Sequence, residues 1–365
     1  MDSRFRRPAR RAATGLVAAA ALALAAAPAA LAETVDTVAR GLDNPRGVAL
    51  GSDGAVYVAA AGKAGRQCQG KGEARTCAGF TGKIVRVAGG AKSTIAKGLL
   101  SVGGPGGVFA TGVDGVSVSA DGKVYGVMTS GPPAQVKSFP RPFRNQAGRL
   151  FDLTDGNLSA VANISALEWK RNLDKFPRDR NSNPYAVLAL ADRQIVVDAG
   201  ANAVLQVQGG KVRLLAVIPR NGKAQAVPTS VALGPDGDLY VGELAEGAGK
   251  GKARVWKVPA AGGTPTVHAR GFTAITGVAF GPDGSLFVTE FARNPRKEDF
   301  RGRIVRVAPD STRTFLGANQ LMFPTGAAVD STGAVYTSNF SVLPGKTPKK
   351  SPFKGAGGTL VKITP

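Results

Sequence analysis

One histidine, two cysteines and three methionines in 365 residues leave little material for soft-ligand chemistry. Zinc modules need several Cys or His ligands at close spacing, and disulfide-dense scaffolds need far more than two cysteines, so both are excluded. The single His268 has no Ser or Asp partner in a recognisable motif, which removes a nucleophilic triad. The Gly247-Ala248-Gly249-Lys250-Gly251-Lys252 run lacks the spacing and the following helix of a phosphate-binding loop and reads as a basic hairpin loop. Acids are scarce, 25 against 47 lysines and arginines, for a net charge of +22. After residue 32 no stretch reaches the roughly 18 apolar residues of a spanning helix. Glycine (49) and proline (23) are plentiful, which favours many turns over long helices.

The first 32 residues have the organisation of a secretory leader. Arg4, Arg6, Arg7, Arg10 and Arg11 form a basic start, an Ala/Leu-rich run follows, and Ala30-Leu31-Ala32 is a small-x-small cleavage signal. The expected organisation is therefore a signal peptide over 1–32 and one domain over 33–365, on the extracellular side of the membrane. An oxidising compartment favours pairing Cys68 with Cys77, nine residues apart in a Gly/Lys-rich loop, as a local staple.

One pattern recurs six times: an apolar strand, a Gly/Asp turn and a second strand. It reads Val48-Ala49-Leu50, Asp53-Gly54, Val56-Tyr57-Val58 in the first copy, and Val278-Ala279-Phe280, Asp283-Gly284, Leu286-Phe287-Val288 in the fifth. The other turns fall at Asp121, Asp192, Asp236 and Thr332. After most copies comes a strand of the type Ile84-Val85-Arg86-Val87 or Ile304-Val305-Arg306-Val307, then a fourth strand. Four strands per unit and six units predict an all-β, six-bladed β-propeller. The chain ends on a third strand, 359–363, and begins on an orphan fourth, 35–39, so the N-terminal strand is expected to complete the last blade and close the ring. Insertions at 61–83, 129–148, 167–182 and 340–358 fall on one face of the disc.

Several strings together resemble the ScyD/ScyE family of exported propeller proteins: Gly41-Leu42-Asp43-Asn44-Pro45-Arg46-Gly47, the Cys68/Cys77 loop, Ser182-Asn183-Pro184-Tyr185, Val197-Asp198-Ala199-Gly200 and Ala226-Val227-Pro228-Thr229-Ser230. The resemblance covers about residues 34–365. It implies a six-bladed, NHL/TolB-like propeller and no particular reaction. A looser resemblance runs to gluconolactonase-type propellers, which hold a divalent cation with Glu, Asn and Asp at the starts of the inner strands. The equivalent positions here are Arg46, Asp114, Tyr185, Thr229, Thr276 and Thr325, and the first-blade glutamate has no counterpart.

These six positions are the candidate ligand-binding set. Glu243, Glu290 and Asn339, at the exits of second strands where the third copy has Ala199, form with Asp198, one step before that exit, a candidate oxygen-ligand set for Ca²⁺ or Mg²⁺. The loops of the insertion face carry nearly the whole net charge, with aromatics interleaved, as in Phe139-Pro140-Arg141. Arg141, Arg144, Lys349 and Lys350 on that face are expected to engage an anionic polysaccharide or phosphopolymer. The sequence thus favours an exported, monomeric binding or scaffolding propeller for an anionic envelope or matrix component or a small molecule, with a metal-assisted lactonase or other hydrolase as the alternative. Nucleic acid is disfavoured by export and by the lack of RNA-type motifs.

Overall fold

The computed structural model describes residues 33–72, 75–176, 179–347, 351 and 353–365. The expected leader and the basic pair Lys349 and Lys350 lie outside the described residues. The strands follow the repeats. The first stretch holds β1 (Thr34–Leu42), β2 (Pro45–Leu50), β3 (Val56–Ala60), β4 (Gln67–Gln69), β5 (Thr76–Ala88) and β6 (Ala91–Gly103). Then come β7 (Thr111–Val118), β8 (Val124–Met128), β9 (Arg149–Asp152), β10 (Ser159–Asn163), β11 (Pro184–Ala189), β12 (Gln194–Asp198), β13 (Ala203–Gln208) and β14 (Lys211–Val217). The next group is β15 (Pro228–Leu233), β16 (Leu239–Glu243), β17 (Ala253–Val258), β18 (Thr266–Phe272), β19 (Ile275–Phe280) and β20 (Leu286–Glu290). The last is β21 (Arg301–Val307), β22 (Arg313–Met322), β23 (Thr325–Val329), β24 (Val335–Asn339) and β25 (Gly358–Thr364).

The two recurring sequence motifs meet in space. In five hairpins a glycine at φ between 74° and 85° closes the turn: Gly54, Gly122, Gly237, Gly284 and Gly333. Each donates its N–H to the carbonyl three residues back. A turn aspartate then accepts from the basic residue of the third strand: Arg86 on Asp53 at 2.5 Å, Lys257 on Asp236 at 2.6 Å, and Arg306 on Asp283 at 2.5 Å. Lys362 reaches Asp330 at 3.3 Å in the last sheet. These pairs are solvent-exposed and add little stability. They explain why the third strand repeats a basic residue at one position.

The sheets are antiparallel meanders and the architecture is an all-β propeller. Among the described residues there are four four-stranded sheets and one nine-stranded sheet, which runs from β2 to β10 and carries β4 beside β5. The expectation was four strands in every blade. The difference arises because the first insertion prolongs β5 and β6 to 13 residues each, so that β6 reaches β7 and pairs with it at Ser101↔Gly112 and Val102↔Thr111. The first strands of successive hairpins touch in a cycle: β2, β7, β11, β15, β19, β23 and β2 again. They pass so close that a Cβ on Gly277 would stand 2.5 Å from the Gly326 carbonyl carbon, and one on Gly115 would stand 2.8 Å from the Tyr185 oxygen. β1 pairs antiparallel with β25, from Thr34↔Thr364 to Leu42↔Gly358.

The core lies between neighbouring sheets. Ile195, Val197 and Val204 pack on Leu239, Val241 and Trp256 of the following sheet. Leu42, Ala328 and Leu360 pack on Val56, Val58 and Val85, so the last sheet shares apolar surface with the first. Each such Val, Leu or Ile side chain contributes about 1.5–3 kcal/mol by its burial. Cys68 and Cys77 are disulfide-bonded across β4 and β5, the pairing expected from the sequence. Among the described residues three short α-helices occupy the insertions: α1 (Pro133–Ser138), α2 (Arg141–Arg144) and α3 (Ser165–Arg171).

Candidate functional site at the channel mouth

Each inner strand begins with a β-bulge, and the bulges carry the candidate residues. Register shifts fall between Val113 and Gly115, Pro184 and Ala186, Pro228 and Ser230, and Ile275 and Gly277. Asp114, Tyr185, Thr229 and Thr276 are the extra residues at those shifts. Arg46 lies in the shift between Pro45 and Val48, and Thr325 opens the one before Ala328. A bulge locally re-aims a side chain. Here, Arg46, Tyr185, Thr229, Thr276 and Thr325 line one cavity of about 230 Å³. Asp114 lines a narrower space of about 60 Å³ further along the channel, bounded also by Tyr185, Thr229, Thr276 and Thr325.

Three threonines tie neighbouring inner strands together. Thr229 donates to the Ile275 carbonyl at 2.6 Å, Thr276 to that of Pro324 at 2.9 Å, and Thr325 to that of Arg46 at 3.2 Å. Each hydroxyl thus links its inner strand to the next.

Arg46 is different. It is 9% exposed and donates through Nη2 to the Ala110 carbonyl at 2.7 Å, while its buried Nε has no hydrogen-bond partner among the described residues. The nearest carboxylate oxygen, on Asp114, is 3.9 Å from Nε, beyond hydrogen-bonding distance. Asp114 is fully buried and accepts from the Thr111 hydroxyl and, at 3.3 Å, from the Gly112 N–H. Burial pushes its pKa up from the usual carboxylate range, against the pull of Arg46. The Tyr185 phenol is likewise pushed up by burial, with Arg46 opposing.

The exit acids are each engaged within their own sheet and are not brought together. By register, Asp198, Glu243 and Glu290 stand opposite Pro184, Pro228 and Ile275, so Asp198, rather than Ala199, is the equivalent of the two glutamates. All three are fully buried within their own sheets. Glu243 takes Arg254 Nε at 2.6 Å, Arg254 Nη2 at 3.1 Å and Trp256 Nε1 at 2.9 Å. Glu290 takes Arg303 at 2.6 Å and the Thr273 N–H at 2.7 Å. Asp198 accepts from the Ser182 hydroxyl and from the N–H groups of Asn183, Gly200 and Ala201. Burial raises the pKa of each acid, and its donors hold against that. The Asn339 Oδ1 accepts from the Met322 and Phe340 N–H groups. Among the described residues no three Asp, Glu, His or Cys side chains are grouped as metal ligands. Each of the four expected ligands thus has donors within the protein. The mouth itself does not fit a divalent cation, since its lining holds a guanidinium and no carboxylate.

The residues after those acids were missed. Leu244 and Phe291 line the cavity with Val227. Strand alternation was the available signal: where the glutamate turns into the sheet, its neighbour turns the other way. Arg141 and Arg144 stand exposed on α2 and do not line the cavity.

The sequence profile of the SMP-30/gluconolactonase/LRE-like region matches residues 157–345. No curated protein sequence matches the chain. Among solved structures, a gluconolactonase from Xanthomonas campestris superposes with a TM-score of 0.54 at 9% identity, over 91% of this chain and 89% of that one. The PQQ-bound aldose sugar dehydrogenase from Streptomyces coelicolor gives 0.53 at 14% identity, over 91% and 98%. The calcium-binding protein regucalcin from Agrobacterium tumefaciens gives 0.50 at 13% identity, over 90% and 93%. At these identities the likeness is one of fold.

Proposed function

The chain belongs to the SMP-30/gluconolactonase/LRE-like family, and from that premise we propose that it is an exported small-molecule-binding propeller that holds an anionic ligand at its channel mouth without a divalent cation. The observation that carries this reading is Arg46, a buried guanidinium that lines the cavity and whose Nε has no hydrogen-bond partner among the described residues. A buried donor left unsatisfied is costly, and an anion satisfies it with a charge-assisted bond. The Tyr185 phenol adds a neutral polar contact, while the threonine hydroxyls, whose protons go to neighbouring carbonyls, keep only acceptor lone pairs for a protic group of the ligand. Metal-assisted lactone hydrolysis is disfavoured because Arg46 stands at the position where the looser resemblance to gluconolactonase-type propellers calls for a glutamate ligand.

In this reading the nine-stranded sheet is two four-stranded blades bridged by β6 and β7. That makes six blades, with β1 as the outer strand of the last. The Ala30-Leu31-Ala32 signal and the likeness to ScyD/ScyE proteins support export. A second role for the insertion face, retention on an anionic envelope polymer, is favoured by the exposure of Arg141 and Arg144 on α2.

Calorimetric titration with sodium phosphate and sodium acetate tests the main reading. EDTA should leave binding unchanged, and Arg46→Met should abolish it. Asp114→Asn should tighten it at neutral pH by removing the opposing charge. For the same reason wild-type affinity should rise on acidification, as Asp114 takes up a proton. Calcium binding at the mouth, or EDTA-sensitive hydrolysis of an aldonolactone, would overturn the reading.

A further inference from the structure

The cavity at the channel mouth has two unlike walls. Arg46, Tyr185 and Thr325 are polar, whereas Val227, Leu244 and Phe291 are apolar. Leu244 and Phe291 also line a second cavity of about 190 Å³, with Ala245, Ala274 and Pro295 among its walls. Each space alone is below the roughly 300 Å³ at which sites for drug-sized ligands begin, and the two together exceed it. The shared Leu244–Phe291 edge makes them neighbours.

Val227 adds a separate observation. It sits at φ 51°, in the left-handed region that β-branched residues avoid. The conformation itself belongs to the fold: Asn44, Ala274 and Phe323 adopt it at φ 48–51° just before other inner strands. The carbonyls of Asn44, Val227, Ala274 and Phe323 accept from Ala61, Leu244, Phe291 and Ser341 respectively. Asn suits that conformation far better than Val. Only backbone atoms of Val227 take part in its hydrogen bonds, to the Asn202 side chain and from the Leu244 N–H. Its side chain is free to serve the cavity, and it is apolar there at a conformational cost.

Resting on the anion reading above, we propose that the ligand is an amphipathic organic acid: a carboxylate on Arg46 joined to an aliphatic or aromatic body lying on Val227, Leu244 and Phe291 and extending towards the second cavity. A polyhydroxylated acid would leave its hydroxyls facing hydrocarbon on that wall, where they lose hydrogen bonds to water without replacement.

The test is calorimetric titration of the mature chain with acetate, hexanoate, phenylacetate and gluconate. Hexanoate and phenylacetate should bind on the order of tenfold or more tighter than acetate. Gluconate should show no such gain. Val227→Asn should raise Tm by relieving the backbone, weaken phenylacetate by on the order of tenfold, and leave acetate unchanged. A purely structural Val227 would give the rise in Tm and no change in affinity, which overturns its assigned role. If gluconate binds as tightly as phenylacetate and binding still depends on Arg46, the amphipathic class falls and the anion reading stands. If no acid binds, both fall.

Discussion

Burial sets the character of the charged residues. Glu168 on α3 is almost fully buried, and its pKa is pushed up to about 7 by loss of solvent. The Leu173 N–H, bonded to its Oε2 at 2.7 Å, pulls the other way, while Asp174, Asp198 and Asp179 push it up further. The sign follows from linkage. With its folded pKa above the ordinary value of 4.5, the group favours the native state fully at low pH. That contribution is lost as pH rises towards and through about 7. Glu168→Gln keeps an acceptor for Leu173 without the charge. Thermal unfolding from pH 5 to 8.5 should therefore show the variant gaining on the wild type as pH rises, by on the order of 2 kcal/mol at the alkaline end. Equal pH profiles would mean that the wild-type carboxyl ionises without penalty.

Within a single sheet, the exit glutamates act as clamps. Glu243 joins β16 to β17 through Arg254 and Trp256, and the Arg254 guanidinium lies 4.5 Å from the Trp256 ring centre. Removing one partner of a buried pair strands the other, at a cost of about 3–5 kcal/mol. Glu243→Ala should show that loss in denaturant unfolding, and millimolar Ca²⁺ should give the wild type no added stability. A calcium-dependent rise in wild-type stability that disappears in the variant would return Glu243 to a cation site. The hairpin turns, the third-strand basic residue and the disulfide loop were legible in sequence because each depends on contacts within one sheet. The bulges were not legible. An extra residue in a strand has no compositional mark, yet it decides which way Arg46, Tyr185 and the threonines point.

Across the whole molecule, β1 is the element with the longest reach. It pairs with β25 more than 300 residues away, and Ala39 and Leu42 are buried between the last sheet and the first. Glu33 adds a bond from the Gly317 N–H at 2.6 Å. Deleting residues 33–42 should uncover the β25 edge and the apolar surface beneath it, and lower Tm by roughly 10 °C or more. An unchanged melting curve would show that the fold holds without this strand. An edge left open should also promote self-association, readable by light scattering.

The sequence by itself determined the propeller architecture, the strand and turn positions, the disulfide partner and the six inner-strand positions, five of which share one cavity. These are repeated local signals, and repetition makes them readable. Only the tertiary structure decided what the site is made of. Strand alternation turned Glu243 and Glu290 inward to Arg254 and Arg303 and left Leu244 and Phe291 facing the mouth. Neighbouring inner strands supplied the carbonyls that occupy the threonine hydroxyls, and left the Arg46 Nε without a partner. A one-residue change of register reverses every side chain, and hydrogen-bond satisfaction depends on strands remote in sequence. Neither is written in the local pattern from which the fold was read.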